Sequence, residues 1–222
     1  MEENKKKKII AFQLVAVMAM SLDASSNTGD NTTTTTAPAE STGASTETTG
    51  EASTETTGEE IVIELPEANA ATAVLRAAWG KYADDQKFFA MGGDYENLVD
   101  GSAGNVPATS EFLTGSLLVP AEQAANVAEA GSLLHAMNAN TFTGAAYKLV
   151  EGADETAFVT ALQTAIQGNQ WMCGFPETLL VVKADGILVV AFGNGEIVAN
   201  FLTNLTAAYA EAEVVINEPI GG

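Results

Sequence analysis

Cysteine and histidine are almost absent from this chain, with one residue of each, Cys173 and His135, among 222. A single cysteine excludes an intrachain disulfide, a two-cysteine redox pair and a cysteine-rich metal site. A single histidine leaves zinc without its usual set of ligands. The sequence therefore predicts neither a bound metal ion nor a cofactor.

Basic residues are also scarce: 9 Lys and Arg stand against 29 Asp and Glu, for a formal charge of −20. Proteins bind nucleic acid through Lys and Arg side chains that displace counterions from phosphates, so we expect no nucleic-acid partner. The same repulsion argues against docking of the folded part onto anionic lipid. Any membrane contact is therefore expected only through the N-terminal segment, where Lys5 to Lys8 are clustered.

The N-terminus has the pattern of an export signal. Lys5 to Lys8 precede the apolar run IIAFQLVAVMAMSL. A helix that spans a membrane needs about 20 apolar residues, and this run is shorter. We predict that residues 1–24 are a signal peptide or a weak uncleaved anchor, and that the protein is exported to the cell surface or secreted. The following SLDASS resembles a bacterial lipoprotein leader, but Ser25 occupies the place of the lipidated cysteine, so no lipid attachment is predicted.

Residues 25–60 contain mostly Thr, Ser, Gly, Ala and Glu, with the octad ASTETTGE at Ala44–Glu51 repeated at Ala52–Glu59. Such a segment cannot bury enough apolar surface to offset the entropy of ordering, which predicts a disordered tether. O-glycosylation of this tether is an open alternative to a plain solvated spacer.

Residues 61–222 are predicted to form a single α+β globular domain. Two apolar runs, Thr178–Lys183 and Ile187–Phe192, flank Asp185-Gly186, which is a strong hairpin signal. The runs are continuous rather than alternating, so both faces of this hairpin are expected to be covered.

The elements after residue 140 predict the order β-α-β-β-α-β in residues 141–218, as in a ferredoxin-like split unit. That order implies an antiparallel sheet with helices mainly on one face. N-terminal β and α additions are expected before it. These are strands at Ile61–Leu65, Lys87–Met91 and Glu111–Val119, a helix after Pro66 and an exposed loop at Asp94–Thr109. A further helix is expected from Pro120 through Met137, with Gly131 as a possible end of its first regular part.

The C-terminal half resembles a known group of proteins. NANTFTGAAYKL, AFVTALQTAIQGNQWMCGFPE and AFGN, followed by a helix, look like an uncharacterised family of lipoproteins from Gram-positive anaerobic bacteria. Those proteins join a signal peptide and a Thr/Ser-rich tether to a small α+β domain of unknown function. The resemblance covers about Ser110 to Val215; it implies a cell-envelope location and no activity.

Cys173 is the candidate nucleophile, and His135 is the only histidine that could act as its base. A reactive thiol needs a nearby cation or a helix N-terminus, and the sequence around WMCGFP offers neither. We therefore expect Cys173 to be buried in the core beside Trp171, and His135 to lie near the end of a helix.

Oxygen ligands for calcium are offered by Asp84-Asp85 and by Asp94, Glu96, Asn97 and Asp100. Their spacing does not match a recognised calcium loop, so solvated loop charge is preferred. Gly193-Asn194-Gly195 and Gly92-Gly93 are similarly interpreted as turn geometry rather than as phosphate cradles.

Trp171, Phe175 and Pro176 form an aromatic group outside any periodic pattern. They are either one wall of a ligand groove at the sheet edge or a cluster that closes one end of the core. Together these features predict an exported, tethered domain that is not an enzyme. It is expected to bind a cell-wall component, a peptide or a protein partner. Two alternatives are a weak hydrolase that uses Cys173 with His135, and a calcium-dependent adhesion module.

Overall fold

A computed structural model describes residues 65–221. The predicted signal peptide, tether and first strand lie outside these residues, except for Leu65. The described helices are α1 (Ala70–Trp79), α2 (Glu111–Gly115), α3 (Ala121–Ala124), α4 (Glu155–Gln167) and α5 (Gly195–Ala208), with a 3₁₀ turn at Asp84–Gln86. The described strands are β1 (Ala90–Gly92), β2 (Val99–Asp100), β3 (Gly104–Val106), β4 (Val127–His135), β5 (Phe142–Leu149), β6 (Thr178–Ala184), β7 (Ile187–Gly193) and β8 (Glu213–Pro219).

The eight strands form one antiparallel sheet, and seven of them follow the order β2-β1-β4-β5-β7-β6-β8. The eighth, β3, also pairs with β4, next to the residues of β4 that pair with β1. The predicted α+β class with an antiparallel sheet is confirmed. The β6–β7 hairpin is confirmed as well: Asp185 and Gly186 both have positive φ, at 51° and 74°, as a two-residue hairpin turn of this sequence requires. Every residue of β7 is buried, so both faces of this strand are covered.

The prediction that helices pack mainly on one face is wrong. Phe158, Leu162 and Ile166 of α4 share a buried cluster with Leu179 and Val181 of β6. The alternate β6 residues, Leu180 and Val182, belong to a second cluster with α1 and with Phe201 and Leu205 of α5. Because successive strand residues point to opposite faces, α4 and α5 lie on opposite sides of the sheet.

The strand order explains this difference. The β-α-β-β-α-β sequence of elements is present, but β8 pairs with β6 instead of with β5, where the last strand of a ferredoxin-like unit would lie. That edge of β5 is occupied by β4. Two crossover connections contain these helices: β5–α4–β6 and β7–α5–β8. Both move in the same direction across the sheet, but β5 and β7, from which they start, are antiparallel. Crossovers of one hand then place their two helices on opposite faces.

Three predictions between residues 94 and 137 are wrong. The expected strand at Glu111–Val119 contains α2, which begins after Ser110 because the Ser110 side chain accepts a hydrogen bond from the Phe112 N–H. The expected long helix from Pro120 is only α3, and β4 follows it. The expected exposed loop at Asp94–Thr109 contains β2 and β3.

Candidate functional site

A cleft of about 510 Å³ opens on the face of the sheet that carries α4. Its floor includes Met91, Leu134, Thr143 and Phe192. These residues pair across neighbouring strands, one after the next: Met91 with Leu134, Leu134 with Thr143, and Thr143 with Phe192. The floor is thus a single straight row across β1, β4, β5 and β7, and the register of four strands fixes its shape.

The walls come from loops and from α2. Phe112 and Ser116 contribute one wall, and Tyr95 and Leu98 of the β1–β2 loop contribute the next. Tyr95 is fixed in place by a 2.7 Å hydrogen bond between its hydroxyl and Ser116 Oγ, and by edge-on contact with the Phe112 ring. The rim residues Tyr95 and Leu98 are 69% and 60% exposed, so large apolar surface meets solvent at the mouth.

The opposite wall is the α4–β6 loop, which places Trp171 and Met172 against the cleft. The Trp171 ring packs on Phe192 of the floor, with ring centroids 5.4 Å apart. Two amides of the β4–β5 loop hold this wall. Asn140 Nδ2 donates to the carbonyls of Met172 (2.7 Å) and Gly174 (3.1 Å), and Asn138 Nδ2 donates to that of Cys173 (2.9 Å).

Asp94 organises the loop that carries Tyr95. Its buried carboxylate accepts hydrogen bonds from Ser110 Oγ (2.8 Å), from the backbone N–H and side-chain amide of Asn97 (both 2.9 Å), and from the Glu96 N–H. Burial alone would raise the pKa of Asp94, but these hydrogen bonds outweigh it and leave the pKa below its usual value. Asp94 is therefore a structural anion that joins the β1–β2 loop to the start of α2.

Replacing Asp94 by asparagine should destabilise the domain by about 1–3 kcal/mol at neutral pH, because an amide nitrogen cannot accept the bonds that the lost oxygen accepted. The lowered pKa means that the carboxylate stabilises the fold above the unfolded pKa of about 3.9. This stabilisation is lost as the pH falls below the unfolded pKa and through the lower pKa that Asp94 has in the folded protein. Urea denaturation measures the free energy of unfolding of the unaltered protein and of Asp94→Asn. The difference between these two free energies should be smaller at pH 3 than at pH 7. An equal difference at both values would contradict this role.

The three predicted groove residues have different positions. Trp171 lines the cleft. Phe175 is 70% exposed and lies on the other side of the loop, beside a small depression next to Asn194. Pro176 is buried. Met172, which the sequence did not single out, lines the cleft beside Trp171.

Cys173 and His135 are not hydrogen-bonded to each other in the described part of the chain. The prediction of a buried Cys173 is wrong, since the thiol is exposed, and His135 lies at the end of β4 rather than on a helix. His135 stacks on Phe88 and its Nδ1 accepts the Met137 N–H. Because the thiol is exposed, a thiol reagent would label Cys173 whether or not it is a nucleophile.

The other candidate sites are occupied by the chain itself. Within residues 65–221, no group of three or more Asp, Glu, His or Cys residues is placed to hold a metal ion. The N–H of Gly195 at the start of α5 donates to the Glu177 carboxylate at 2.8 Å, and Asn194 Oδ1 accepts the N–H groups of Glu196 and Ile197 in the same turn. This helix start already carries an anion, so it has no free place for a phosphate.

No protein-family model, curated protein or solved structure matches this chain. Of the helices in the described part, none combines the length and apolarity needed to cross a membrane.

Proposed function

We propose that residues 65–221 form a binding domain, and that its ligand site is the cleft between Trp171 and Tyr95. The observation that carries this proposal is the composition of the lining: large apolar and aromatic side chains, a few amides and hydroxyls, and no charged residue. Clefts of this size and composition are typical sites for ligands that are mostly apolar and are oriented by a few hydrogen bonds. The ligand class is therefore neutral and largely apolar at the point of contact.

Polar groups for orienting such a ligand are available at one end of the cleft. Asn169 and Gln170 line it, and their side chains have no hydrogen-bond partner among the described residues. An amide side chain can both donate and accept, so it pairs well with the backbone of a peptide. Together with the uncharged, largely apolar lining, it makes a peptide with a large apolar side chain the occupant that we propose.

Strand addition at the sheet edge is a weaker route to a partner. The outer strand β8 has a register shift opposite Val181 and Val182 and ends in Pro219. Bulges, prolines and charged residues on an edge strand oppose pairing with another chain. These features favour the cleft over the β8 edge as the binding surface.

The hydrolase alternative lacks its chemistry in the cleft. General acid–base catalysis requires a titratable group within hydrogen-bond reach of the reacting atom, and neither Cys173 nor His135 lines the cleft. Calcium-dependent adhesion has no favouring observation either, since no group of three or more acidic residues in the described part is placed to hold a cation. Binding without turnover is the function that this geometry supports best.

Titration with the neutral apolar dye Nile red tests the site. Replacing Trp171 by alanine should weaken dye binding at least about tenfold, because a buried aromatic contact is worth about 1.5–3 kcal/mol. Leu98→Ser on the opposite rim should weaken it in the same direction. The measurement is dye fluorescence against protein concentration, with circular dichroism to verify folding.

Phe175→Ala is the matched control, since it removes an exposed aromatic ring from the same loop but outside the cleft. Its dye affinity should equal that of the unaltered protein. Equal affinities for all four proteins, or a loss confined to Phe175→Ala, would place the apolar site elsewhere and refute the proposal.

A further inference from the structure

An acidic groove adjoins the apolar cleft. A depression of about 350 Å³ is lined by Asp94, Tyr95, Glu96 and Glu111, among others. Tyr95 lines both this groove and the cleft, so the two depressions adjoin at this residue. Asp94 is buried and both of its carboxylate oxygens accept hydrogen bonds, whereas Glu96 and Glu111 are exposed.

Glu96 and Glu111 are free to pair with an incoming cation. Among residues 65–221 the salt bridges use Asp84, Glu129 and Glu155, and neither Glu96 nor Glu111 has a basic partner. The ring of Tyr95 presents an exposed aromatic face beside them, and aromatic faces attract Lys and Arg head groups. The groove thus combines two unpaired carboxylates with a fixed aromatic ring, directly next to an uncharged apolar cleft.

We propose that the partner of this site is an extended peptide segment in which a large apolar residue is followed or preceded by Lys or Arg. The apolar side chain fills the cleft between Trp171 and Tyr95. The basic side chain crosses the Tyr95 ring and reaches Glu96 and Glu111. This inference rests on the proposed function and adds to it the charge of the partner.

Charge complementarity is the argument for this occupant. The cleft itself has no charge to select by sign, so discrimination between partners must come from its margin. The margin at Tyr95 is acidic, and a basic residue next to the apolar anchor gains attraction there while an acidic one is repelled. The attraction is between exposed groups, so it should weaken as salt screens it.

Two blocked hexapeptides test the inference, one with a phenylalanine followed by two lysines and one with the lysines replaced by glutamates. Binding is followed by the fluorescence of Trp171 in a Trp79→Phe protein, where Trp171 is the only remaining tryptophan. The lysine peptide should bind at least about fivefold more tightly at low salt, and the ratio should shrink as salt is raised. The double variant Glu96→Gln/Glu111→Gln should remove the preference and leave Nile red affinity unchanged.

The matched control is Glu122→Gln/Glu151→Gln, which neutralises two other exposed acids and alters the net charge equally. It should retain the preference for the lysine peptide. If both peptides bind equally, the inferred partner charge is wrong while the cleft remains a binding site. If the control loses as much preference as Glu96→Gln/Glu111→Gln, the preference comes from net charge and the proposed contact with Glu96 and Glu111 is wrong. If neither peptide changes the fluorescence of Trp171, and Nile red binds equally well to Trp171→Ala, the proposed function itself fails.

Discussion

Replacing Gly131 by alanine is expected to destabilise the domain by about 1–3 kcal/mol, because an added methyl group has no space there. A Cβ on Gly131 would lie 2.8 Å from Thr72 Cα and would also collide with Thr72 Oγ1. Helix α1 therefore packs directly on the backbone of β4. The measurement is the free energy of unfolding from urea denaturation, and the loss should appear as a lower midpoint with an unchanged slope.

The sign of this effect tests the secondary structure as well. If the helix that the sequence predicted ran unbroken through residues 121–137, alanine would be favoured over glycine by about 0.8–1 kcal/mol and the variant would be more stable. Gly115→Ala is the matched control, since Gly115 lies in α2 and a Cβ there meets nothing within 4 Å. The control should be neutral or mildly stabilising. Stabilisation by both substitutions would contradict the β4 assignment.

Truncation of Phe158 or Phe201 to alanine should cost about 3–5 kcal/mol each, because both rings are fully buried. Phe158 contacts Tyr147 on the α4 face, whereas Phe201 contacts Phe142 on the α5 face. The two rings belong to separate clusters on opposite sides of the sheet. Their energetic effects are therefore expected to be independent.

Independence is best measured with the milder pair Phe158→Leu and Phe201→Leu, because two alanine substitutions together could exceed the whole stability of a domain, about 5–15 kcal/mol. The free-energy changes of the two leucine variants should add in the double variant to within about 0.5 kcal/mol. A ferredoxin-like unit would place both helices on one face, and a coupling above about 1 kcal/mol would support that arrangement instead.

The sequence predicts well those elements whose signals are local. Asp185-Gly186 forms the hairpin turn, and Asp154 and Asn194 cap α4 and α5 through their own side chains. In each case a few adjacent residues specify a backbone geometry, through positive φ or through a cap that accepts the first free N–H groups. The distant parts of the chain have little influence on such choices.

The topology could not be predicted because it depended on one misassigned segment. Residues around Gly131 are rich in Ala and Leu, which favour a helix in isolation, yet they form β4 because that strand pairs with β5 along most of its length. Once β4 occupies that edge, β8 must pair elsewhere, and α5 moves to the other face. The continuous apolar pattern of β6 and β7, which indicates covering on both faces, was the better guide.

The cleft likewise contains one residue that the sequence could identify locally and others that only the strand pairing brings together. Trp171 could be selected from the sequence because it is an aromatic residue outside any periodic pattern. The floor could not be, since Met91, Leu134, Thr143 and Phe192 become neighbours only through the register of four strands. Asn140 is another case, because its role in holding the Trp171 wall is visible only in its hydrogen bonds to a loop 32 residues away.

Amide chemical-shift mapping during titration with the phenylalanine–lysine hexapeptide tests the central claim most directly. If the cleft is the binding site, the largest shifts will fall on the floor row of Met91, Leu134, Thr143 and Phe192, and on the indole N–H of Trp171. The exposed strand β8 and the opposite face around Phe201 will remain unchanged. Shifts confined to β8 or to the α5 face, with none along the floor row, would contradict the claim.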